Sequence, residues 1–142
     1  DAKERVIIYA RFRAEVHAIT RLWGKGVWSA SITGDDSAAV RAQKMAAFAA
    51  SGPGVLVVSL GAGSEAIDLS CAIYSIFYSA DFDLSHVEQA DARNSGPKQE
   101  RPMTTYFLLA NNTIDGYMYK AVVEKRRLQD WVGGFIRDRS RN

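Results

Sequence analysis

Hydrophobic positions along the chain fall into two alternating patterns: short unbroken apolar runs, and longer stretches in which apolar residues recur every three or four positions. The runs VIIYA (6–10), WSASI (28–32), VLVVSL (55–60), YSIFYSA (74–80) and TTYFLLA (104–110) are rich in β-branched or aromatic residues. Runs of this length and composition predict strands, several of them buried on both faces as in a parallel sheet. Between the first two runs, Phe12, Val16, Ile19 and Trp23 recur at i, i+4, i+7 and i+11, which predicts a helix packing one stripe on the sheet. Ser37 to Ala50 is alanine-rich with Val40 and Phe48 eight apart, and Asp36 or Ser37 is available to cap it. Ser85 and Glu88 have the S-x-x-E spacing of a capping box that opens a helix carrying Gln89 and Arg93. Asn112 with Asp115 opens a last long helix whose expected stripe is Ile114, Met118, Ala121 or Val122, and Leu128. Strands and helices in this alternation predict an α/β fold, an open, doubly wound, mainly parallel sheet flanked by helices. The fold is expected to occupy residues 1–132, with residues 133–142 as a frayed carboxyl-terminal tail.

Composition narrows the picture only slightly. A chain of 142 residues with 47% apolar content is one domain with a core of its own. The 18 basic residues nearly balance 16 acidic ones, so only a local patch would argue for nucleic acid. Arg11, Arg13, Arg21 and Lys25 form one loose basic cluster, and Lys120, Lys125, Arg126 and Arg127 form another. Neither is denser than an ordinary solvated helix face. A single cysteine, Cys71, closes no internal disulfide and reads as a small buried hydrophobe. Two isolated histidines, His17 and His86, lack metal-ligand spacing, so no metal site is expected. No apolar run approaches the ~20 residues of a membrane span, so the expected setting is intracellular with no membrane partner. The chain begins at Asp1, close to a strand, as expected of a piece of something longer.

In an open parallel sheet, ligands sit beyond the carboxyl ends of the strands, so the loops there are the places to look for chemistry. They read ARFR, TGDD, SLGAGSEAIDL and SADFDLSHVEQADAR after the first four runs. Gly61 and Gly63 let backbone N–H groups approach a phosphate, and Ser59 adds a hydroxyl donor. Taken alone, the same glycines read better as a tight strand-to-helix turn. Gln89 and Arg93, at i and i+4, share a helix face, where Arg93 has either a nucleotide or a surface partner such as Glu88 or Asp91.

In this order, the segments resemble the second RecA-like lobe of superfamily-two helicases, and within it the Swi/Snf branch of DNA translocases. VIIYARF is similar to the strand of motif IV, and ITGDDSAAVRAQKMAAF to the Gly, polar turn, Arg and helix that follow. SLGAGSEAIDLSCA is similar to motif V, HVEQADAR to the start of motif VI, and FLLANNTIDGYMYKAVVEKRRL to the last strand and helix. The resemblance covers residues 5 to 128. It implies that Thr33, Gly34, Ser59 and Gly61 touch a nucleic-acid backbone, and that Gly63, Glu65 and Asp68 lie at the nucleotide. Asp68 faces its ribose on this reading, or caps its own loop. Gln89 and Arg93 would point into the cleft between two lobes, with Arg93 as the arginine finger.

The sequence departs from the pattern at two places. Gly96 stands where motif VI has its second arginine, with Lys98 and Arg101 beyond it as candidate substitutes, and Ala66 stands near an expected motif V glycine. No G-x-x-x-x-G-K-[ST] loop or acidic box occurs in the chain. The resemblance therefore implies a carboxyl-terminal motor lobe, inactive alone, working with an amino-terminal RecA-like lobe that holds most of ATP and Mg²⁺. Its track is expected to be DNA rather than RNA. Two rivals remain: a degenerate lobe that binds nucleic acid or protein without hydrolysis, and an unrelated doubly wound domain with another ligand.

Overall fold

The computed structural model describes residues 4–62, 69–79, 85, 88–89 and 101–139, with side chains to 129. Five strands, β1 (Arg5–Ala10), β2 (Trp28–Ile32), β3 (Gly54–Ser59), β4 (Tyr74–Phe77) and β5 (Thr104–Phe107), form one sheet in the order β2-β3-β1-β4-β5. Every pairing is parallel, with Ile7 opposite Leu56 and Ser75, and Ile32 opposite Val58. Each expected strand is present, and the ends differ by at most a few residues.

The central strands are apolar on both faces because both faces are covered. Every residue of β3 is buried. Alternate side chains serve two separate cores, as a period of two requires. Ile7, Tyr9, Leu56, Val58 and Phe77 join Ile32, Leu69 and Phe48 on one face. Ile8, Ala10, Val55 and Val57 join Val16 and Ile19 on the other. Helix α1 (Arg13–Thr20) thus covers one face and α2 (Ala38–Ala50) the opposite one. The outward step from β1 to β2 and the return step to β3 run in opposite directions. Right-handed crossovers therefore put their helices on opposite faces.

Three details depart from the expected periodicity. On α1 only Val16 and Ile19 are buried, while Phe12 and Trp23 lie at the surface, because the helix spans just two turns between them. Ser37, not Asp36, caps α2, its Oγ accepting the Val40 N–H at 3.3 Å, and Val40 itself is exposed. The long helix α3 (Asp115–Arg139) starts where expected, but of the predicted stripe only Val122 is half-buried. Ile114, Met118 and Leu128 are exposed. The half-buried side is Tyr119, Val122 and Val123, with Tyr119 against Phe107 at a 5.0 Å ring separation. Helical backbone continues to Arg139, into the stretch expected to fray.

Trp28 packs at the sheet edge against Phe48, ring centres 5.7 Å apart, as a packing tryptophan should. Cys71 is half-buried against the α2-side core. Arg5 ties the start of β1 to the segments before its neighbours, donating to the carbonyls of Ser51 and Cys71.

Candidate functional site

All described loop candidates lie along the carboxyl edge of the sheet. At one end of that edge, the register of Ile32 with Val58 brings Thr33 beside Ser59, and Ser59 also stands opposite Ala10. Thr33 and Ser59 are both buried, whereas Gly34 and Gly61 are exposed. A Cβ built on Gly34 or Gly61 meets nothing within 4 Å. The turns themselves therefore have room for alanine at both positions.

The Thr33 turn is locked from within. The Thr33 N–H donates to Asp36 Oδ2 at 2.8 Å, and the Asp36 N–H returns a bond to the Thr33 carbonyl at 3.2 Å. Lys44 Nζ donates to Asp36 Oδ1 and to the Ser31 carbonyl, each at 2.7 Å. Burial alone would raise the Asp36 carboxyl, but the bonds from Lys44 and Thr33, with the charges of Lys44 and Arg41, outweigh it. The group is held below the ordinary aspartate value. The Thr33 N–H is consequently committed to Asp36, and the Gly34 carbonyl accepts a longer bond, 3.4 Å, from the Arg41 guanidinium. Arg13 crosses from α1 to the same turn, donating to Asp35 at 2.7 Å, so one member of the basic cluster already has a carboxylate partner.

At the other end of the edge, an open crevice of about 630 Å³ lies beyond β1, β4 and β5. Phe12, Tyr78, Leu108, Leu109, Ile114 and Met118 supply its apolar wall, and Arg11, Glu15 and Ser79 its polar side. The Arg11 guanidinium lies over the Phe12 ring, 5.2 Å from its centre. Ser79 Oγ accepts the Arg11 N–H at 2.8 Å and donates to Glu15 Oε2, which also accepts the Phe12 N–H at 3.2 Å. Opposite them, Asp115 Oδ2 accepts the Ala110 N–H at 3.1 Å, and Thr113 Oγ1 donates to the Ala110 carbonyl at 2.8 Å, around Asn112 in the left-handed region. This explains why Ile114 and Met118 are not in the core: they face the crevice.

Sequence reasoning did not single out Glu15, Ser79 or the Asp36 lock. Glu15 has the third-position spacing of a capping box, but Phe12 at the cap cannot return the bond, so the usual two-residue signal is absent. Ser79 carries no local signal at all.

Gln89 is helical and exposed, as are Ser85 and Glu88. Arg93, Gly63, Glu65, Asp68, Ala66, Gly96 and Lys98 lie outside the described residues. Arg101 does not fit its expected role as a substitute arginine. It precedes β5, at the amino-terminal edge of the sheet, and grips Glu4 through two bonds of 3.0 and 3.2 Å. That hydrogen bond, aided by the Arg101 charge, holds the Glu4 carboxyl below its usual value. Arg101 staples the starts of β1 and β5, away from the carboxyl edge. Among the described residues no group of His, Cys, Asp and Glu is arranged to hold a metal, and no helix is long and apolar enough to cross a membrane.

Comparison with known proteins points in one direction. Residues 1–94 match the helicase conserved C-terminal domain family. The chain is 27% identical to the SNF2 domain-containing protein CLASSY 2 of Arabidopsis thaliana, over 94% of this chain and 11% of that protein. It is 28% identical to the SWI/SNF-related matrix-associated actin-dependent regulator of chromatin subfamily A-like protein 1 of Drosophila melanogaster, over 94% of this chain and 18% of that protein. The chain thus spans less than a fifth of either relative. Its fold is that of the C-terminal part of the Fun30 ATPase domain, with a TM-score of 0.72 at 18% identity over 82% of this chain and 38% of that one.

Proposed function

The chain belongs to the helicase conserved C-terminal domain family, with SNF2-type relatives, and from that premise we propose that it is the carboxyl-terminal motor lobe of a nucleic-acid-dependent ATPase. The observation that carries this reading is the extent of the family match, which runs from β1 through Gln89 to just past Arg93. It takes in both the open carboxyl edge at Gly34 and Gly61 and the segment expected to act on the nucleotide.

On this reading, ATP with Mg²⁺ supplies the phosphoryl group that is transferred to water, and both are held chiefly by an amino-terminal lobe carrying the phosphate loop that this sequence lacks. The residues of the present chain complete that site. Gln89 and Arg93 approach the nucleotide from across the inter-lobe cleft, and the Arg93 guanidinium stabilises charge developing on the phosphoryl oxygens. Gly63, Glu65 and Asp68 line the nucleotide side, with Asp68 toward the ribose. Thr33, Gly34, Ser59 and Gly61 hold the backbone of DNA through its phosphates, so little sequence preference follows. Closing and opening of the cleft shift these contacts along the backbone, which converts turnover into movement.

The test is Arg93→Ala in the complete protein. DNA-stimulated turnover is expected to fall by ~10³-fold or more, the range that arginine fingers contribute elsewhere. Unchanged turnover would remove Arg93 from the mechanism.

A second reading, a degenerate lobe that binds nucleic acid or protein without hydrolysis, is favoured by Arg101. With Gly96 in place of the second arginine, the nearest described candidate substitute is bound to Glu4 at the opposite edge.

A further inference from the structure

Two adjacent backbone N–H groups, those of Arg11 and Phe12, leave the end of β1 just before α1 begins. Neither is offered to solvent. The first donates to Ser79 Oγ and the second to Glu15 Oε2, and the Ser79 hydroxyl completes the circuit by donating to the same carboxylate oxygen. Ser79 and Glu15 are 64 residues apart, so the circuit joins the end of β4 to the start of α1 rather than tidying a local turn. It fixes the backbone under Arg11, whose guanidinium is further held over the Phe12 ring on the wall of the crevice. Ser79 is also the strand-end residue from which the chain departs toward Gln89 and Arg93.

We infer that Ser79 and Glu15 are positioning residues, a latch that holds the Arg11 loop where its guanidinium meets a DNA phosphate and ties it to the strand end leading to the nucleotide-side segment. The inference rests on the motor-lobe reading. Arg11 is suited to the contact because, unlike Arg13, whose guanidinium is taken by Asp35, it is exposed and held over a ring face, a contact that consumes none of its N–H donors. A hydrogen bond to a charged acceptor, once broken, releases the loop to many conformations. Only a fraction of these present the guanidinium, so affinity falls by that fraction.

The experiment measures ATP turnover of the complete protein against duplex DNA concentration. Ser79→Ala is expected to raise half-saturating DNA about tenfold while maximal turnover changes less than about twofold. Ser79→Thr, which keeps the hydroxyl, should restore the wild-type value. Glu15→Ala should act in the same direction, and the double variant should be no worse than the more severe single one, because both remove one circuit. Effects that simply add, or wild-type half-saturation in Ser79→Ala, would overturn the latch and leave the motor reading standing. A wild-type protein whose turnover ignores DNA would overturn the reading and the latch together. If Ser79→Ala lowers the Tm, Glu15→Gln decides: it keeps an oxygen for both donors, so it should shift half-saturation less than Glu15→Ala, and an equal shift counts against the latch.

Discussion

Asp36 shows how one carboxylate shapes an edge that otherwise reads as ligand-facing. It accepts the Thr33 N–H and the Lys44 ammonium together, and these hold its proton affinity down against the effect of burial. A folded-state value below the unfolded one means the group stabilises the fold above the unfolded value and loses that contribution as pH falls through the folded value. Asp36→Asn is therefore expected to cost about 1 kcal/mol in urea denaturation at pH 7, the partly exposed pair being discounted for screening. The gap between variant and wild type should narrow as pH falls below the ordinary aspartate value of 3.8 and close only below the lowered folded-state value. A gap that persists in acid would place the effect in packing rather than charge. From the sequence, Asp36 is one of two equal candidates for a helix cap, and nothing local says that Ser37 takes the cap while Asp36 turns back to Thr33. Arg101 is a similar case: it lies beyond Gly96 as a displaced candidate for a replacement arginine, yet Glu4, 97 residues away, binds it. Partners that distant are invisible to spacing, which is why residue roles were the least legible level.

Elements were far more legible. The apolar runs give all five strands because a strand buried on both faces cannot hide among polar residues. Helices were found by period, but the period says only which residues share a face, not what covers that face. On α2 the outcome is simple: Phe48 is fully buried among Ile32, Leu56 and Trp28, with Met45 half-buried on the same core, so Phe48 is the main apolar anchor of the helix on the sheet. Phe48→Ala is expected to cost about 3–5 kcal/mol, read as a lowered denaturation midpoint with little change in slope. A loss below about 1 kcal/mol would mean that α2 is held elsewhere. On α3 the stripe Ile114 and Met118 is real but faces the crevice, while Tyr119 one position on makes the packing contact with Phe107. The first position of the expected α1 stripe fails for a related reason, since Phe12 stands before the helix and borders the same crevice.

At the scale of the whole molecule, the sheet order fixes where function is possible. A strand order of β2-β3-β1-β4-β5, all parallel, gathers the turns that follow the described strands along a single edge. The carboxyl edge carries Thr33, Gly34, Ser59 and Gly61 at one end and the Arg11 crevice at the other. The amino edge carries the Glu4 and Arg101 staple. If the carboxyl edge binds DNA through phosphates, affinity of the complete protein should fall linearly on a log–log salt plot, with a slope of roughly −0.9 for each phosphate contacted. A flat plot would contradict the assignment of that edge. On the proposed division of labour, this chain would supply an arginine finger and backbone contacts, and a partner lobe the phosphate loop and the magnesium carboxylates. The most direct measurement compares ATP turnover, with duplex DNA present, by the purified 142-residue chain and by the complete protein. The account predicts DNA-stimulated turnover by the complete protein and none above buffer by the chain alone; sustained hydrolysis by the isolated chain would contradict it.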